Sequence, residues 1–137
     1  MRPIRVESRA FVDSNVLLYT IDDDEAKALR AYEIMDEGPL ISVQVLNEFT
    51  NVARKKFKLD WPDVRDGLEH IRECCEILPL NLGVHLRAIE IAEANRIGVY
   101  DACLVAAADL AGCDVLYTED MNHGQRIGGV TLRNPFV

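Results

Sequence analysis

Asp13 closes a short apolar run, beginning at Arg9 or Ala10 and ending Phe11-Val12, and Ser14-Asn15 then break the chain into a turn. A carboxylate at the carboxyl end of a first strand lies where open α/β sheets bind ligands, though an Asp there also serves as a turn residue or helix cap. Three other acids share that opportunity. Asp120 follows the run Asp114–Thr118, with Glu119 beside it. Asp101 falls in the first turn of the most apolar helical stretch, where a helix dipole favours an anion. Glu48 lies beside the apolar stripe of a helix rather than opposite it, an awkward place for a merely solvated acid, and Gln44 shares its side.

Four converging carboxylates repel one another and have raised pKa values unless a cation sits among them. Carboxylate and water oxygens suit Mg²⁺ or Mn²⁺, not zinc. Such an ion orients and activates water and neutralises charge building on a phosphodiester. Asp13, Glu48, Asp101 and Asp120 are therefore the expected metal ligands and catalytic residues, with Glu119 an adjacent alternative for the fourth acid. Ser14, Asn15 and Thr118 are hydroxyl and amide neighbours suited to orienting carboxylates or water. No serine or cysteine has a base beside it, and His123 lacks a relay partner.

The elements that must position these residues alternate. After the first strand and a short helix, Asp22-Asp23-Asp24 cap a helix over 25–36, with Ala28, Leu29, Tyr32 and Met35 as its apolar stripe and Gly38-Pro39 as its stop. Leu40-Ile41 is a short buried strand, and Ser42 caps a helix over 43–57. Asp60 and Pro62 open a helix to about Glu73, followed by a strand over 76–80. Asn81 caps a helix to about Arg96, with Leu82, Leu86, Ile89 and Ala92 packing inward and Gly98 ending it. The apolar helix 99–111 and the strand 114–118 follow, then a loop, and 130–132 forms a final edge strand. Strands alternating with helices predict a three-layer α/β/α fold with a parallel sheet of four to five strands. Right-handed crossovers place the strands' carboxyl ends on one rim.

At 137 residues the chain fits one domain, expected over 9–137, behind a short flexible leader at 1–8. The leader has no uninterrupted apolar region, so it is no secretory signal, and no stretch is apolar enough to span a bilayer. A cytoplasmic location follows by default. Cys74, Cys75, Cys103 and Cys113 contain no Cys-x-x-Cys spacing and read as reduced packing residues. A net charge of −8 argues against a broad basic nucleic-acid face, so an acidic pocket would meet phosphate only through a cation. The one dense basic run, Arg54, Lys55, Lys56 and Lys58, complements a helix carboxyl end or grips an RNA backbone. A phospho-accepting signalling module would need a Lys after the last strand, and none occurs beyond Lys58. A haloacid-type phosphatase would need an acid where Asn15 stands.

Val12-Asp13-Ser14-Asn15, Asn47-Glu48-Phe49, Tyr100-Asp101-Ala102 and Tyr117-Thr118-Glu119-Asp120, in this order and spacing, resemble the PIN domain family. The nearest branch is the VapC-like ribonuclease toxins of bacterial and archaeal toxin–antitoxin pairs, and the likeness runs over nearly the whole chain from about Ala10. It implies a metal-dependent endoribonuclease in which Asp13, Glu48 and Asp101 match the three principal acids and Asp120 the more variable fourth. Thr118 matches the usual hydroxyl of the last motif. It also implies a homodimer and a small cognate antitoxin that also binds DNA. A catalytically silent PIN-like module that binds RNA or protein is the competing expectation.

Overall fold

The computed structural model describes residues 9–137; the leader expected at 1–8 lies outside the described residues. The chain runs through β1 (Phe11–Val12), α1 (Ser14–Leu17), a 3₁₀ turn (Leu18–Ile21), α2 (Glu25–Asp36), β2 (Leu40–Ser42) and α3 (Val43–Lys55). It continues through α4 (Trp61–Cys74), β3 (Glu76–Leu78), α5 (Leu82–Asn95), α6 (Val99–Leu110), β4 (Val115–Tyr117), β5 (Arg126–Ile127) and β6 (Val130–Arg133). Side-chain caps start three of the long helices: Asp24 accepts from the Lys27 amide, Asp60 from Asp63 and Asn81 from Val84. Ser42 takes the N-cap position of α3, but its hydroxyl makes no capping bond. Two helix ends also differ from expectation. The α3 helix stops at Lys55 rather than residue 57, and Arg96 rather than Gly98 takes the left-handed turn after α5. Gly98 instead stands before α6 as its N-cap.

Among the described residues the sheet has six strands in the order β3-β2-β1-β4-β6-β5, all parallel except the β5–β6 pair. Four to five were expected. The missed strand, β5, is two residues long, too short to show alternation, and it displaces β6 from the edge. Its signal was Gly128-Gly129 between Ile127 and Val130, a two-residue hairpin spacing, and Gly128 has the positive φ of 59° that such a turn demands. The order places β2 on one side of β1 and β4 on the other. The crevice past the ends of β1 and β4 is thus the switch point where doubly wound sheets bind ligands.

The helices form two packed sets, α5 with α6 and α1 to α4 with one another, and right-handed crossovers on this strand order put the two sets on opposite sheet faces. Phe11, Val12, Val16, Leu17, Ile41 and Leu116 are fully buried at the centre. Two expected stripes are rotated. In α2 the buried residues are Ala31, Ile34 and Met35, while Leu29 and Tyr32 are exposed. In α5 they are Val84, Ala88 and Ile91, while Leu82, Leu86 and Ile89 are exposed. Both faces of α5 are apolar, so periodicity could not choose between them. Packing against the alanine-rich α6 favours the face carrying Ala88, whose small side chain allows close approach. Among the described residues no helix is long and apolar enough to cross a membrane.

Candidate active site

The Asp13 backbone N–H donates to the Tyr117 carbonyl at 2.9 Å, tying the end of β1 to the end of β4. Its side chain is 5% exposed. Oδ1 accepts from the Ser14 amide at 2.7 Å; Oδ2 accepts from the Thr118 hydroxyl at 2.9 Å and from Asn15 Nδ2 at 3.2 Å. Burial pushes the carboxyl up to about 6, with Glu48 and Asp120 adding to the rise and the Thr118 and Ser14 hydrogen bonds opposing it. A buried acid held this firmly by neutral donors is preorganised but short of positive charge.

Glu48 is fixed from both sides. Its Oε2 accepts from the Ser14 hydroxyl at 3.0 Å and its Oε1 from Gln44 Nε2 at 3.0 Å. Gln44 Nε2 also lies 3.0 Å from the Tyr100 carbonyl, which draws the start of α6, and so Asp101, toward α3. The Asp101 carboxyl is raised above its ordinary value, first by burial and then by Asp120 and Glu48. The Asp120 amide donates to Thr118 Oγ1 at 3.3 Å. Asp13 and Asp101 therefore each feel both Glu48 and Asp120. Two clefts flank Asp120: one of about 150 Å³ shared with Asp101, Asn122 and Gln125, and one of about 190 Å³ shared with Asn15, Lys56 and Glu119.

Glu119 turns away from the acids. It forms an ion pair with Lys27 at 2.7 Å and accepts from the Tyr19 hydroxyl, while its backbone N–H donates to Asn15 Oδ1. Burial alone would raise its carboxyl, but the Lys27 and Tyr19 hydrogen bonds prevail and hold it below the ordinary range. Lys27 also lies over the rings of Tyr19 and Phe136, 4.8 and 5.1 Å from their centroids. Lys27 and Tyr19 were missed in the sequence because nothing local marks a partner 92 and 100 residues away. Glu119→Gln is expected to cost up to about 1 kcal/mol of stability, as a partly exposed ion pair does, and to leave any uptake of Mn²⁺ unchanged. Denaturation and calorimetric titration check both.

Among the basic run, Lys56 borders the cleft with Asp120, Arg54 donates to the Leu59 carbonyl at 2.9 Å, and Lys55 and Lys58 are exposed. His123 Nδ1 accepts from the Asn134 amide at 2.9 Å, so it is tied to the C-terminal segment. All four cysteines are free, and burial pushes the Cys75 thiol up to about 12, which makes it inert. Among the described residues no group of three or more His, Cys, Asp or Glu makes a ready cage for a metal ion. The donor chemistry nevertheless fits a hard divalent cation: the acids are oxygen-only ligands, and the upward shifts of Asp13 and Asp101 are what a cation would reverse.

The PIN domain family's sequence model matches residues 10–126, which takes in all four acids. The chain belongs to the PIN domain family. Among solved structures, this PIN domain is similar to a DNA-bound VapBC from Salmonella typhimurium, at 21% identity and a TM-score of 0.70 over 93% of this chain and 98% of the other. It is also similar to a toxin–antitoxin complex from Klebsiella pneumoniae, at 20% identity and a TM-score of 0.69 over 92% and 97%. A third is VapC20 from Mycobacterium tuberculosis, described as a sarcin–ricin loop cleaving toxin, at 16% identity and a TM-score of 0.64 over 81% and 89%. No curated protein matches this chain by sequence. At these identities the structural likeness establishes the fold.

Proposed function

We propose that this PIN domain is a divalent-cation-dependent endoribonuclease and the toxin of a toxin–antitoxin pair. The observation that supports it most is that the fold brings Asp13 and Asp101, 88 positions apart, beside the same two acids, Glu48 and Asp120, which add to the upward push that burial gives both carboxyls. Asp13, Glu48, Asp101 and Asp120 would hold Mg²⁺ or Mn²⁺. When bound, the ion supplies charge neutralisation on the phosphodiester and water acidic enough to react at neutral pH. The chain's own residues do the positioning. Ser14 bridges Asp13 and Glu48, Gln44 ties Glu48 to the start of α6, and Thr118 links Asp13 to the Asp120 backbone. Glu119 stabilises the turn from outside, and Lys56 at the cleft with Asp120, together with the exposed Arg54, Lys55 and Lys58, would meet the RNA backbone.

The VapBC and toxin–antitoxin structures of similar fold favour a cognate antitoxin as partner. Leu82, Leu86 and Ile89 form an exposed apolar strip on α5 that would suit a second copy in a homodimer. Residues 9–137 would act as one cytoplasmic unit. Incubation with RNA tests the activity. Fragments ending in 5′-phosphate and 3′-hydroxyl are expected with Mg²⁺ or Mn²⁺ and none with a chelator. RNA left intact while Mn²⁺ binds would leave a silent binding module; cleavage indifferent to chelation would refute the metal-dependent mechanism.

A further inference from the structure

The outward side of α3 carries groups that the acids do not use. At 100° per helical residue, Lys55, Asn51, Asn47 and Arg54 follow one another along an arc of about 120° that begins beside Glu48. All four are exposed. Trp61, the only tryptophan of the chain, opens α4 across from them with 50% of its surface exposed. The Arg54 guanidinium lies 4.5 Å from the centroid of its ring and is anchored by its bond to the Leu59 carbonyl. Cation and indole are thus held together before any ligand arrives. With Asn47, Thr50, Asn51 and Lys55 they line a shallow pocket of about 440 Å³.

These groups match one chemistry. Single-stranded RNA is bound by aromatic faces that stack on bases, cations that meet phosphates, and amides that hydrogen-bond base edges. The cations stand out because the chain as a whole carries a net charge of −8. No aliphatic residue lines the pocket, so its apolar surface comes from Trp61 and the stems of polar and cationic side chains, which suits base stacking better than a docked apolar helix. We propose that this surface is an RNA platform beside the acids, stacking a base on Trp61 and seating backbone phosphates on Arg54 and Lys55. It rests on the ribonuclease reading above and extends it: the platform would grip the strand flanking the cleaved bond.

The single tryptophan makes the test direct. In the full chain carrying Asp101→Asn, a fluorescein-labelled single-stranded RNA of mixed sequence is titrated by anisotropy and by tryptophan emission. Quenching of Trp61 with the same midpoint as the anisotropy change is expected. Trp61→Ala should weaken binding roughly tenfold, and Trp61→Phe, which keeps a stacking face, should restore most of it. Arg54→Gln and Lys55→Gln should each flatten the salt dependence. Trp61 is exposed at the first position of its helix, so the variants should fold, which circular dichroism checks. RNA binding without quenching, or undiminished binding by Trp61→Ala, overturns the platform while wild-type cleavage keeps the nuclease reading intact. A Trp61 emission maximum that shifts with protein concentration in the absence of RNA marks a contact between copies and also overturns it. A wild-type chain that neither binds nor cuts RNA removes both.

Discussion

Asp101→Asn is expected to leave a folded protein whose RNA cleavage is slower by about a thousandfold or more. Asparagine keeps the shape of the side chain and removes the charge. If the carboxylate helps hold a cation that supplies several kcal/mol of transition-state stabilisation, each 1.4 kcal/mol lost is about tenfold in rate. The same residue has a purely structural reading, because an acid in the first turn of α6 is favoured by the helix dipole, by about 0.3–1 kcal/mol. The two readings separate cleanly. The dipole reading predicts a slightly less stable enzyme with normal activity. The ligand reading predicts near-unchanged stability, because relief of repulsion from Asp120 and Glu48 offsets the dipole loss, together with collapse of activity. Cleavage rate and urea denaturation on one preparation decide between them.

Asp13→Asn is expected to make the cation-free protein more stable at about pH 8 and no more stable at about pH 4. The folded-state pKa of about 6 lies above the ordinary 3.8. Between those values the folded chain holds a proton that the unfolded chain has released, so stability falls as pH rises through this window and the deficit is full above it. The shift corresponds to about 3 kcal/mol at most. Asparagine has one acceptor oxygen, so it loses either the Ser14 amide bond at the former Oδ1 or the Thr118 and Asn15 bonds at the former Oδ2, which reduces the expected gain to about 1–2 kcal/mol. Denaturation in chelator at the two pH values measures it. A loss at pH 8, or a gain independent of pH, would show that Asp13 carries no such electrostatic burden. The same protonation opposes cation binding, so wild-type affinity for Mn²⁺ should fall about tenfold for each pH unit below about 6.

The residues at element ends were legible because chemistry and topology coincide there. Asp13 after β1 and Asp101 in the first turn of α6 could be placed from apolar runs and turn residues alone, and Glu48 from its awkward position beside a stripe. In the sequence Glu119 and Asp120 stand as alternatives for the fourth acid. They are neighbours on an irregular turn, and Glu119 is drawn off by Lys27 and Tyr19, side chains whose approach depends on the whole fold. The same limit explains α5. Leu82, Leu86 and Ile89 look as apolar as Val84, Ala88 and Ile91, and only contact with α6 selects between the two faces. Strand β5 was lost for the opposite reason, since two residues carry no pattern. The exposed Trp61 beside Arg54 was equally invisible, because a helix opened by Asp60 and Pro62 says nothing about what lies over its first residue.

Everything functional depends on whether the acids act together on a cation. Calorimetric titration of Mn²⁺ into the wild-type protein and its Asp13→Asn, Asp101→Asn and Glu119→Gln variants, at about pH 7.5 where Asp13 is ionised, asks this without requiring any RNA. Saturable binding in the wild type and in Glu119→Gln, with loss of at least about tenfold in each of the other two, is the expected result. Binding that survives both Asp13→Asn and Asp101→Asn unchanged, or a wild-type chain that takes up no Mn²⁺, would contradict it.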